Sequence, residues 1–157
     1  MKKDRLDIIY EDKFLIAVNK PNNLLTVATD KEIEKTLFHE VLLFEKRKNK
    51  SNKVFIVHRL DKDTSGIVVF AKSIEVKDFL QDNWNSFKRE YTAVVNGKLK
   101  EKKGTIRNYL YETKTLQVFS TDDPKKGKLA ITEYEVLQEN KNYSLLKINI
   151  KIFFIIL

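Results

Sequence analysis

No cysteine occurs anywhere in the chain. Disulfide bridges, thiolate zinc sites and cysteine nucleophiles are therefore excluded, an absence that suits a reducing compartment. Glycine and proline are also scarce, at 4 and 2 residues, which closes off collagen-like and low-complexity classes. No apolar run approaches the length that spans a bilayer, and the N-terminal MKKDRLDIIYEDK has no apolar core of signal-peptide length. The expectation is a soluble, cytoplasmic protein with no membrane partner.

What is present fits one folded domain, residues 1–157: the chain has 157 residues, 42% of them hydrophobic and 33% charged. Acidic residues are in deficit, 22 against 30 Lys and Arg, for a net charge of +8. That excess attracts polyanions, nucleic acid foremost. It is concentrated in EKRKNKSNK (45–53), KLKEKKGTIR (98–107) and DPKKGK (123–128), which read as loops or element ends. Each cluster taken alone is equally a solubilising surface.

Along the chain, Ile8–Tyr10 and Phe14–Val18 read as strands around a polar turn. TDKEIEKTLFHEVLLFEKRKN reads as a helix, with Thr29 and Glu32 as a capping box and Ile33, Leu37, Val41 and Phe44 as its apolar stripe. Lys46, Arg47 and Lys48 then suit the negative end of the helix dipole. Val54–Val57 and Ile67–Ala71 are short strands. SIEVKDFLQDNWNSFK reads as a second helix, N-capped by Ser73, with Val76, Phe79, Leu80, Trp84 and Phe87 on one face. YTAVVNGKL, TLQVFST, LAITEYEVL and YSLLKINIK follow as strands. The order is α+β, with a mixed, mainly antiparallel sheet and flanking helices.

Between the two central strands lies HRLDKDTSG, residues 58–66. On physics alone it has two readings. It is either a solvated loop whose Arg59, Asp61, Lys62 and Asp63 neutralise one another, or a rigid turn that presents Asp61 beside a cleft as nucleophile, base or metal ligand. A phosphotransferase D-x-D-x-[TV] signature fits poorly, because His58 and Arg59 separate Asp61 from the apolar strand and Ser65 stands where Thr or Val belongs. No glycine-rich phosphate cradle is present.

The longer string H-R-L-D-x-x-T-S-G, followed by an apolar strand and A-K-S, resembles the RluA-type pseudouridine synthase family. So does FLIAVNKPNNLL, where Lys20-Pro21 begins a K-P-x-G motif with Asn23 at the glycine; asparagine tolerates the left-handed backbone that such a glycine supplies. Arg89, Tyr91, Ala93, Val95 and Gly97 match a K-x-Y-x-A-x-V-x-G strand in register. The resemblance implies a pseudouridine synthase catalytic-domain fold and a cofactor-free, metal-free isomerisation of uridine to pseudouridine in structured RNA, ribosomal or transfer. It implies Asp61 as the nucleophile acting on a base flipped out of the stack, and Tyr91 stacked beside that base. Arg59, Lys20, His58 and Arg89 are the expected RNA-side residues. Arg59 fills the gap left by the base or pairs with Asp63, Lys20 contacts a phosphate or ends a strand, and His58 braces the loop. RNA is the expected partner, bound by a monomer.

The likeness stops after Lys151. The family continues into T-G-R-x-H-Q-I-R, whose first arginine pairs with the aspartate, whereas this chain reads IFFIIL. The expectation is a domain incomplete at its C-terminus, as after a frameshift or premature stop, and a weak or inactive enzyme. The alternative is a non-catalytic RNA-binding remnant.

Overall fold

The computed structural model describes residues 6–29, 32, 34–113, 115 and 117–152. It divides into two compact units, Met1–Trp84 and Asn85–Leu157. The architecture is α+β, with one antiparallel sheet in each unit and few helices.

The first unit begins with β1 (Ile8–Glu11) and β2 (Leu15–Lys20). Asp12 makes the turn between them: its Oδ1 accepts from the amides of Phe14 and Leu15, both at 2.8 Å, a side-chain substitute for a backbone turn bond. With β3 (Phe55–Ile56) and β4 (Gly66–Ala71), the sheet order is β1-β2-β4-β3. Strand periodicity puts Ile16, Val18 and Lys20 on one face of β2, opposite Phe70, Val68 and Gly66 of β4. Ile16, Val18, Val68 and Phe70 are fully buried there, together with Leu37 and Val41 of α1 (Leu37–Lys48). The rings of Phe38 and Phe70 lie 6.2 Å apart.

Helix α1 starts later than its sequence pattern suggests. Its N-cap is Thr36, whose hydroxyl accepts from the His39 amide at 3.2 Å. Thr29 and Glu32 instead pair with each other as an isolated antiparallel bridge, and the Glu32 carboxylate receives the Lys35 amide at 3.0 Å. Ile33, expected in the stripe, lies outside the described residues. The later start satisfies amides that a helix leaves orphaned: Leu37 donates to the Leu25 carbonyl at 2.8 Å and Phe38 to that of Thr26 at 3.0 Å. Lys46, Arg47 and Lys48 do occupy the last turn.

Helix α2 (Ile74–Asp82) is N-capped by Ser73, which accepts from Val76 at 3.3 Å. It stops before the end of the expected apolar face and passes into a 3-10 turn, Trp84–Ser86. Phe79 stands 62% exposed, and no residue of α2 is fully buried. No helix among the described residues is long and apolar enough to cross a membrane.

The second unit holds β5 (Glu90–Asn96), β6 (Lys103–Glu112), β7 (Val118–Thr121), β8 (Lys128–Glu139) and β9 (Tyr143–Ile152), in the order β5-β9-β8-β6-β7. The basic segment 98–107, expected as a loop or element end, supplies the first half of β6 from Lys103 onward. Its lysine is tolerated in a strand because the ladder pairs it: Lys103 stands opposite Glu135 and their side chains meet at 2.8 Å. Lys147 and Glu90 make a similar cross-strand pair at 2.8 Å.

Candidate active site

After β3 the chain alternates between burial and exposure. Val57, His58 and Leu60 are buried, while Arg59, Asp61, Lys62 and Asp63 are exposed. Leu60 is thus an apolar anchor, and the charged side chains project from a backbone pinned at several points. Thr64 donates its amide to the Asp61 carbonyl at 3.0 Å, closing a turn. His58 points inward: its Nε2 accepts from the Val69 amide at 3.1 Å, and its ring packs 4.6 Å from that of Trp84. Gly66 ends the motif at φ +133°, a conformation that side chains rarely adopt.

Two further pins come from the segment after β2. The Thr26 hydroxyl accepts from the Leu60 amide at 3.1 Å and donates to the Leu60 carbonyl at 2.5 Å. Lys20 donates to the carbonyls of Leu24 at 2.6 Å, Lys62 at 3.0 Å and Pro21 at 3.1 Å. An ammonium has three N–H donors, and Lys20 is 0% exposed. Its three donors are thus engaged within the loop, at the last residue of β2. Burial pushes its pKa down, opposed by the negative charges of Asp63 and Asp61. Asn23 adopts φ 66°, the left-handed conformation anticipated from its place in the motif.

Lys20, His58, Arg59 and Asp61 are thus brought together around one loop of the first unit. Arg89 and Tyr91 belong to the second unit. Arg89 precedes β5, and its Nη2 donates to the carbonyls of Ile150 at 3.2 Å and Lys151 at 3.3 Å, tying it to the end of β9. Burial lowers the pKa of its guanidinium, opposed by Tyr91. Tyr91 stands half-buried opposite Ile148, on the same face of β5 as Ala93 and Val95. Thr26 was not singled out by the sequence, because a threonine in an apolar run gives no sign of a partner 34 positions away.

The RNA pseudouridylate synthase family matches residues 14–152. The chain belongs to that family. Its RluA-type character is consistent with relatives named ribosomal large subunit pseudouridine synthase D, one of which, from Haemophilus influenzae, is 32% identical over 93% of this chain and 45% of its own length. An uncharacterised RNA pseudouridine synthase of Bacillus subtilis is 34% identical over 86% of this chain and 45% of its own length. The chain thus spans about half the length of the curated relatives it matches. Its fold is shared with the human protein RNA pseudouridylate synthase domain containing 4, at a TM-score of 0.77 and 19% identity, over 94% of this chain and 60% of that one.

Proposed function

We propose that the chain carries the nucleophile of an RNA pseudouridine synthase, with Asp61 as that nucleophile and a uridine of structured RNA, ribosomal or transfer, as substrate. The observation that carries the reading is the contrast at Asp61: an exposed side chain on a backbone held at Leu60, Asp61 and Lys62. Catalysis rewards such preorganisation, since a reacting group already in place spends no free energy on being ordered. The names of the ribosomal relatives favour ribosomal RNA.

The reaction is redox-neutral and balances within one nucleoside. The N1–C1′ bond breaks, the uracil turns, a C5–C1′ bond forms, the proton on C5 leaves and N1 acquires one. Asp61 initiates cleavage of the glycosidic bond once the base has left its stack. The family likeness assigns Tyr91 to stacking on that base and aiding the proton movement at C5. It assigns Arg59 to the space the base vacates. Phosphate contacts by exposed lysines hold the RNA in register while the pocket selects the base.

No T-G-R-x-H-Q-I-R string occurs in the 157 residues. An arginine facing the carboxylate is therefore not supplied by that motif within this chain, and we propose that the chain on its own turns over slowly. Tritium release from RNA labelled at uridine C5 tests both points. Slow release that Asp61→Asn reduces to background is expected, and release unaffected by Asp61→Asn would overturn the nucleophile assignment. Turnover equal to that of a full-length relative would overturn the prediction of weakness. RNA binding with no release at all would favour a non-catalytic RNA-binding protein.

A further inference from the structure

Thr26 lies 2% exposed beneath the Asp61 loop, in the segment between β2 and α1. Its hydroxyl grips both main-chain groups of one residue, the amide and the carbonyl of Leu60. A hydroxyl offers one donor and two acceptor lone pairs, so this pair of bonds uses its single proton. The residue gripped immediately precedes Asp61. Fixing the amide and carbonyl of Leu60 restrains its two backbone torsions, and through them the direction in which the Asp61 side chain leaves the backbone.

The grip is anchored from behind. The Thr26 carbonyl accepts from the Phe38 amide at 3.0 Å, and that of Leu25 accepts from Leu37 at 2.8 Å. Both amides belong to the first turn of α1, where Leu37 and Val41 are buried and the Phe38 ring lies 6.2 Å from that of Phe70 on β4. A continuous path of hydrogen bonds therefore runs from the helix through Thr26 to the residue before the nucleophile. On the other side of Asp61, Lys20 holds the carbonyl of Lys62.

We propose that Thr26 is a positioning residue: its hydroxyl sets the aim of the Asp61 carboxylate without touching the substrate. This rests on Asp61 being the nucleophile. Misplacement of a reacting group by about 1 Å can cost on the order of 10²-fold in rate, so loss of the clamp acts on the chemical step more than on RNA affinity.

Three variants of the full chain test it. Thr26→Val keeps the shape and removes the hydroxyl, Thr26→Ser keeps the hydroxyl, and Thr26→Cys substitutes a weak donor and acceptor. Single-turnover tritium release, the Kd for the same RNA and hydrogen exchange at the Leu60 amide are measured for each. In the Val variant the expected result is a rate lowered by about 10- to 100-fold, with Kd within about twofold of the parent and faster exchange at Leu60. The Ser variant stays near the parent rate and the Cys variant falls between, so the Ser and Cys pair decides the matter if the Val variant fails to fold. Release at the parent rate from the Val or Cys variant overturns the proposal, as does a Ser variant as slow as Val or a Kd that weakens in step with the rate. Release from the parent that does not depend on Asp61 would overturn the nucleophile reading and this proposal together. Release that depends on Asp61 but ignores the clamp overturns this proposal alone.

Discussion

The ammonium of Lys20 donates to the main-chain oxygen of Lys62 across 3.0 Å, so a buried cation at the end of β2 holds the backbone immediately after Asp61. The same group serves Leu24 and Pro21. Replacing it leaves several inward-facing carbonyls without a donor, each worth about 1–3 kcal/mol. Lys20→Met is therefore expected to lower stability by about 3 kcal/mol or more, read as a drop in the urea midpoint. Lys20→Arg should not restore it, because a planar fork cannot meet three carbonyls arranged around one point. A midpoint unchanged in the Met variant would show that these bonds contribute nothing net.

Gly66 and Asn23 sit at positive φ, +133° and 66°. A Cβ on Gly66 would meet Leu60 Cδ1 at an ordinary 3.8 Å, so the cost of Gly66→Ala is backbone strain, about 1–3 kcal/mol. Asn23→Ala should cost less, about 1 kcal/mol, and Asn23→Gly should be nearly neutral. Thermal unfolding of the three variants checks this ranking, and a Gly66→Ala variant as stable as the parent would contradict it.

Glu11 gives the fold an acid limb. Burial by itself would raise its pKa, but hydrogen bonds from Lys48 and Lys72 outweigh that and hold it at about 2, against an ordinary 4.5. The folded value is the lower one, so the stability it contributes is complete above pH 4.5 and is lost as pH falls towards 2. Urea unfolding across this range should show Glu11→Gln less stable than the parent at neutral pH and converging with it near pH 2. A constant gap between the two across the range would contradict the assignment.

Binding to RNA should weaken steeply with salt. If about five cations reach phosphates on a single-stranded segment, log K falls with log salt at a slope of about −3.5. Fluorescence titrations from low to moderate salt measure the slope. An affinity indifferent to salt would remove RNA from consideration.

Much of this was legible in local pattern. The Ser73 cap, the strand character of Phe14–Val18 and Ile67–Ala71, and the Tyr91 strand all follow from short-range chemistry, and the left-handed Asn23 follows from the resemblance to the K-P-x-G motif. What escaped depends on partners distant in sequence. Thr29 and Glu32 have the spacing of a capping box, yet the helix begins at Thr36, where the carbonyls of Leu25 and Thr26 meet its free amides. The lysines of 98–107 look like a solvated loop until Glu135 stands opposite Lys103. Lys20 reads as a phosphate contact or a strand end, because nothing nearby in the chain announces three carbonyls waiting for it.

Strand β5, which carries Tyr91, lies at one edge of its sheet and pairs with β9, Glu90 facing Asn149 and Asn96 facing Tyr143. The intervening strands β6, β7 and β8 are built from neighbouring hairpins. During synthesis those hairpins can close as they emerge, whereas β5 must wait, with its hydrogen-bonding edge open, until Tyr143–Ile152 has left the ribosome. The tyrosine strand is thus the first of its sheet to be made and the last to find its partner, so the edge that carries Tyr91 closes late in the formation of this sheet.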